Sequence, residues 1–255
     1  KYDIVISEPS NPWVAGVGAL FTRDFYERAK HSLNAGGVYC QWIQSYEMSD
    51  EMFAAVIRGF RLVFPHVYGF QINVGDFFLL GSATPLKPNW ARMETRFAAP
   101  AVRESLSRLH IHHLADLLYF QRFSPPTADF IAALADRENT DDNLILEYGA
   151  PRDLFQKISP ALPPQLDERL ISSPTLFWRQ YLRDRPQDAQ PISALRILAY
   201  ERPPFEKVAH AHLIASFHLR KNDISHAPWN AISQFPETFF THTPLSESML
   251  DDRMR

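Results

Sequence analysis

Tyr2-Asp3-Ile4-Val5-Ile6-Ser7 decides the fold class, because its apolar residues run on without the alternation of a half-exposed strand. Such a run predicts a strand covered on both faces, as in a parallel sheet. The next residues, Glu8-Pro9-Ser10-Asn11-Pro12-Trp13, have loop composition, and their two prolines end the strand. Phe21, Phe25, Ala29 and Leu33 then recur at every fourth position, which predicts a helix with Thr22 as N-cap, Asp24 in the first turn and Gly36-Gly37 as the stop. Residues 38 to 43 read as a second buried strand. Ser49-Asp50-Glu51 caps a second helix with Met52, Phe53, Val56, Ile57 and Phe60 on its apolar face, ended by Pro65. Residues 67 to 72 and 77 to 80 are strands separated by a short turn around Asn73 and Gly75, so they should pair antiparallel. The order is β-α-β-α-β-β, an α/β region. A strand at residue 2 in the middle of such a series leaves an apolar edge to be paired, so the chain is expected to be part of a longer domain, with this strand at an open edge.

The remainder of the chain is built differently. Eight of the nine glycines lie in the first 81 residues, and the later part is punctuated by many of the 20 prolines instead. Leucines between 102 and 120, and Phe130, Ile131 and Leu134 between 127 and 135, have helical spacing; Leu144-Ile145-Leu146 is a short apolar stretch after Asp141-Asp142. Segments near 166 to 183, 191 to 201, 204 to 220 and 224 to 235 read as packed helices, the last two faintly as a helix-turn-helix repeat. The expected organisation is an α/β region over 1–155 followed by an all-helical region over 156–255.

Composition narrows the function. The chain of 255 residues is 45% hydrophobic and 22% charged, which excludes disorder, collagen and coiled coil. A net charge of -3 supplies no basic field for nucleic acid. The single cysteine, Cys40, excludes an internal disulfide and a thiolate cluster and fits a reducing, cytoplasmic setting. No apolar run reaches the roughly 20 residues that span a bilayer. His110-x-His112-His113 has ring positions spread over different helix faces, and no metal site is expected.

The motifs YDIVISEPSNPW, ALFTRDFYERAKHSLNAGGVYCQW, VFPHV, GDFFLLGS and ENTDDNLILEYGAPR, in this order and spacing, resemble the spermidine synthase family of aminopropyltransferases. The resemblance covers about residues 1 to 155 and is strongest to bacterial spermidine synthase-like proteins fused to membrane segments. It implies the C-terminal half of a doubly wound, S-adenosylmethionine-dependent methyltransferase-like sheet with its last strand antiparallel. It also implies transfer of an aminopropyl group from decarboxylated S-adenosylmethionine to a polyamine or other amine, in a parent that would be cytoplasmic or tethered to the inner membrane. The nucleoside contacts, of decarboxylated S-adenosylmethionine or of S-adenosylmethionine, would lie upstream of Lys1, so this chain alone is expected to bind no nucleoside.

Such transfer needs a carboxylate to take the proton of the attacking amine. Where the family has an Asp-x-x-Asp pair after a strand, this chain has Glu8 and Asn11, which keeps one charge and replaces the other with an amide. Glu8 is thus the expected catalytic residue, placed where open α/β sheets bind ligands, outside the carboxyl end of a strand. Asn11, Trp13, Gln41 and Gln44 are the expected substrate contacts, Trp42 stands beside them, and Asp141 with Asp142 is a candidate second acidic source. The structural alternative makes Glu8 solvated, Asn11 an Asx-turn before Pro12, the glutamines surface amides and the tryptophans core. A second functional alternative is a degenerate, non-catalytic transferase region whose helical tail binds protein; a homo-oligomer is compatible with either.

Overall fold

The apolar runs become strands of one mixed sheet in a computed structural model that describes residues 1–71, 75–109, 111–118, 120–158 and 175–183. The strands are β1 (Tyr2–Ser7), β2 (Leu33–Gln44), β3 (His66–Gln71), β4 (Asp76–Ser82) and β5 (Gln121–Phe123), in the spatial order β1-β2-β4-β3-β5. Only β1 and β2 pair in parallel; β4 is inserted between β2 and β3 and is antiparallel to both. The expected antiparallel final strand and the open edge at β1 are therefore both present.

Helix α1 (Arg23–His31) joins β1 to β2, and α2 (Asp50–Val63) joins β2 to β3. Thr22 and Ser49 cap them as read from the sequence, accepting from the N–H of Phe25 and Met52 respectively. The first helix is shorter than its apolar spacing suggests, because a 3-10 turn over Val17–Phe21 takes up the start and Leu33 already belongs to β2. Gly36, at φ 77°, is not a helix stop; it lies inside β2 where the β1–β2 register slips between Tyr2 and Ile4.

Alternation along β2 and β4 separates two faces. Tyr39, Ile43, Phe77 and Leu79 point to the helices and are fully or almost fully buried. Tyr39 stacks on Phe64 with centroids 5.5 Å apart, Tyr26 meets Phe60 edge-on at 5.0 Å, and a side chain at Gly81 would collide with Phe60 and Phe64. On the other face Ile4 and Ile6 are 63% and 68% exposed, while Val38, Cys40, Trp42, Phe78 and Leu80 are half-buried. The expectation that β1 is covered on both faces is thus not met. The helices of this unit that meet the sheet's aromatic core, α1 and α2, lie on one face, so the doubly wound arrangement is present only in part.

The chain falls into two compact units, Lys1–Lys87 with Gln121–Leu176, and Pro88–Phe120 with the residues from Phe177. The second unit contains α3 (Trp90–Phe97), α4 (Pro100–Ser107), α5 (Leu114–Leu118) and the described helix of the later sequence, Phe177–Arg183, numbered α8 below. The single helix expected over 102 to 120 is broken. Asp116 turns its carboxylate back to accept from the N–H groups of His112 and His113, which fixes a non-helical turn before α5. In the first unit, β5 is a short strand that carries no sequence alternation long enough to read, α6 (Pro125–Ala132) matches the expected helix near 127 to 135, and α7 (Ile145–Gln156) begins in the apolar stretch at 144 to 146. Sequence reading missed α7 because Gly149 and Pro151 are breaker signals; both sit inside the helix, where Gly149 gives Met52 room for close contact. Of the expected segment near 166 to 183, the part from 166 to 174 lies outside the described residues, and α8 (Phe177–Arg183) is helical. The helices expected at 191 to 201, 204 to 220 and 224 to 235, and the repeat within them, lie outside the described residues, as does most of the expected region 156–255. Among the described residues, no helix is long and apolar enough to cross a membrane.

Candidate functional site

The carboxyl ends of β1 and β2 release two loops side by side, one carrying Glu8, Asn11 and Trp13, the other Tyr46 and Met48. Asn11 Nδ2 donates to the Tyr46 hydroxyl at 3.1 Å, and the Trp13 ring meets the Tyr46 ring edge-on at 6.0 Å. Asn11 therefore joins the two loops through its amide. Tyr46 was not singled out by the sequence. Its ring lies against the bare backbone of Gly75, where any Cβ would collide with it, and Ser45 N–H donates to Gly75 O at 2.6 Å. A tyrosine after β2 and a glycine in the turn after the next strand are the only sequence trace of this contact.

Glu8 is exposed at the mouth of these loops. Its charge reaches Cys40, whose thiol is pushed up to about 11, first by burial and second by the Glu8 carboxylate. Cys40 pairs with Ile6 in the β1–β2 register, so Glu8 belongs to the half-covered face of the sheet with Cys40, Trp42 and Gln44. Cys40 itself is a half-buried thiol kept protonated rather than a nucleophile.

The two glutamines are not brought together. The β2–β4 register is unbroken from Val38 to Gln44, so Gln41 and Gln44 project to opposite faces. Gln41 lies on the helix side, fully buried, accepting from the Tyr39 hydroxyl at 2.9 Å and donating to Trp42 O at 2.9 Å. Its amide is occupied by the fold. Tyr39, buried and pushed up to about 12 by desolvation, is also held by a side-chain hydrogen bond with Ser7. Gln44 lies on the Glu8 side, fully buried, and neither its Oε1 nor its Nε2 has a hydrogen-bond partner among the described residues.

A third segment, Glu138 to Glu147, grips the loop that follows β1. Asn139 is fully buried; its Nδ2 donates to Gly18 O at 2.8 Å, its Oδ1 accepts from Leu146 N–H at 3.2 Å, and its carbonyl accepts from Arg23 N–H at 2.9 Å. Glu147 Oε1 accepts from Gly16 N–H at 2.7 Å, and Gly18 comes so close that a Cβ there would stand 3.0 Å from Glu147 Oε2. Gly16 has φ 82°, a conformation open to glycine at little cost. Asp141 accepts from Thr22 Oγ1 at 2.7 Å and pairs with Arg28 at 3.0 Å, and these bonds hold its carboxyl below the usual range. Its carboxylate is thus committed to the start of α1; Asp142 is exposed. Among the described residues, no three His, Cys, Asp or Glu side chains gather as metal ligands.

The loop after β1 thus carries one exposed carboxylate, Glu8, followed by Asn11 and Trp13, both of which meet Tyr46. No protein-family model matches the chain. It is 26% identical over 115 residues to a polyamine aminopropyltransferase of Moorella thermoacetica, an overlap of 41% of this chain and 40% of that protein. The match spans about two fifths of that relative's length, and it supports a distant relationship to that transferase.

Proposed function

We propose that this chain supplies the amine-accepting part of a spermidine synthase-like aminopropyltransferase, with Glu8 as the group that takes the proton of the attacking nitrogen. The observation that carries this reading is the position of Glu8: the one carboxylate at the carboxyl end of β1, exposed, close enough to raise the Cys40 thiol, and in the same loop as the Trp13 that meets Tyr46. An amine is protonated near neutral pH and attacks only as the free base, so a carboxylate at this point both attracts the cation and accepts its proton. Trp13 and Tyr46 provide ring faces and edges for the alkyl chain and its charge. Asn11 holds Tyr46 in place and adds no charge. The donor, decarboxylated S-adenosylmethionine, is assigned to no described residue.

The test is Glu8→Gln in the longest native polypeptide that carries this sequence, with aminopropyl transfer to a set of amines as the readout. Loss of a general base predicts a fall in turnover of about 100-fold or more, with donor binding unchanged. Unchanged turnover removes Glu8 from the chemistry. Absence of transfer by the unsubstituted protein to every amine favours the alternative of a non-catalytic region that binds protein.

A further inference from the structure

Glu8 lies on a short tether between two fixed points. Before it, Ser7 is held in the β1–β2 register opposite Gln41; after it, Asn11 Nδ2 donates to the Tyr46 hydroxyl at 3.1 Å. Pro9 lies between them with its φ fixed by its ring, so the segment has little freedom while both ends are held. The Asn11 end is only as firm as Tyr46. That residue is fixed by its own loop. Ser45 is buried, and its N–H donates to Gly75 O at 2.6 Å. Met48 is fully buried, and Ser49 N–H donates at 2.8 Å to the carboxylate of Asp153, which is also fully buried. Between these anchors Glu47 has φ 50°, a left-handed conformation unfavourable for a residue with a side chain, which persists where the surroundings over-determine it. The Tyr46 ring rests on the backbone of Gly75 and meets Trp13 edge-on. The bond between Asn11 and Tyr46 is mutual, but Tyr46 is the partner whose place is set independently of it.

We propose that Tyr46 is the positioning residue for Glu8, its hydroxyl holding Asn11 so that the loop after β1 keeps the Glu8 carboxylate at the strand ends. The chemical role of Glu8 rests on the amine-site reading above; its placement by Tyr46 does not. Removing the hydroxyl alone leaves the ring on Gly75 and against Trp13 and cuts only the tie to Asn11. Glu8 then samples positions farther from the sheet, where water solvates its carboxylate. A general base displaced in this way still carries its charge but meets the reacting nitrogen less often in the productive geometry.

Cys40, the single cysteine of the chain, reads the position of Glu8 because the carboxylate raises its thiol. The test is the rate of Cys40 alkylation by a neutral reagent at pH 8 in the full 255-residue chain. Glu8→Gln should speed it about twofold to threefold, the effect of one partly screened charge on the thiolate fraction. Tyr46→Phe should give most of that acceleration, and Asn11→Leu the same. In the Glu8→Gln background neither should add anything, because the charge that they displace is already gone. In the longest native polypeptide, Tyr46→Phe should lower kcat for aminopropyl transfer about tenfold or more and leave KM for the amine within about twofold. Alkylation that responds to Glu8→Gln but not to Tyr46→Phe overturns the positioning role and leaves Glu8 where it is. An acceleration by Tyr46→Phe that persists in the Glu8→Gln background also overturns it, since the loop would then only have uncovered the thiol. If Glu8→Gln itself leaves the alkylation rate unchanged, Glu8 is not held at this face and the proposal falls. If alkylation behaves as expected while Glu8→Gln leaves turnover unchanged, Tyr46 positions Glu8 and the amine-site reading alone falls.

Discussion

The carboxylate of Glu8 raises the pKa of the Cys40 thiol across the β1–β2 pair, and this coupling makes Cys40 a reporter of the charge at the candidate site. Burial is the larger cause and would persist without Glu8. With its thiol near 11, Cys40 carries very little thiolate at pH 8, so its alkylation by a neutral thiol reagent should be about a hundredfold slower than that of a free cysteine. Glu8→Gln removes the nearby negative charge, lowers the thiol pKa and should speed alkylation. An unchanged rate would place the Glu8 carboxylate away from this face.

Gln41 and Gln44 separate by their hydrogen bonds, and substitution should show it. Gln41→Met leaves the Tyr39 hydroxyl without its acceptor inside the core and should cost about 1–3 kcal/mol in urea unfolding. Gln44→Met breaks no hydrogen bond among the described residues and should be neutral or stabilising, within about 1 kcal/mol. Equal losses at the two positions would mean that Gln44 has a structural partner.

These glutamines show where sequence reading succeeds and stops. Apolar runs, caps and breakers carried the β-α-β-α-β-β order, because strand and cap signals are local; Thr22 and Ser49 act as they read. The carboxyl end of β1 was legible for the same reason, and with it the position of Glu8. What two buried amides three residues apart do depends on strand parity and on the Tyr39 hydroxyl, which no local signal carries. Tyr46 was missed because its seat is the backbone of Gly75, and α7 because Gly149 and Pro151 speak against a helix that Met52 and Gly18 hold in place by contact. The open face of β1 was misread as covered, since a run of isoleucine and valine states only that cover is favourable.

Asn139 is expected to be the residue on which the loop after β1 depends most. Its side chain ties Gly18 to the start of α7 from a fully buried position. Asn139→Ala leaves a carbonyl and an N–H unpaired in the interior, which predicts a loss of about 2–4 kcal/mol. Amide hydrogen exchange should then accelerate in residues 16 to 23 and 144 to 148 before the rest of the sheet responds. Asp142→Ala, at an exposed position in the same segment, should change neither. If exchange rises uniformly over the whole unit, Asn139 supports global stability and does not clamp this loop.

Two aspartates should give the chain opposite pH dependences. Asp141 is held below the usual carboxylate range by its hydrogen bonds with Thr22 and Arg28. Its contribution is therefore present above the unfolded pKa of about 3.9 and disappears as pH falls through the lower folded value. Asp116 is raised, chiefly by burial, against the opposing pull of the His112 and His113 N–H groups. Its carboxyl takes up a proton more readily in the folded state, so stability is lost as pH rises from about 3.9 through the higher folded value. Asparagine substitutions isolate each effect, because Asn retains an acceptor oxygen and does not titrate. Relative to the unsubstituted chain, Asp141→Asn should be least damaging at the lowest pH and worsen as pH rises to about 4. Asp116→Asn should gain relative stability over the window just above pH 4 and then level off. Denaturation midpoints measured from pH 3 to 7 decide the matter: parallel curves for the two variants would contradict both assignments, and a reversed slope for Asp116→Asn would show that its backbone hydrogen bonds outweigh its burial.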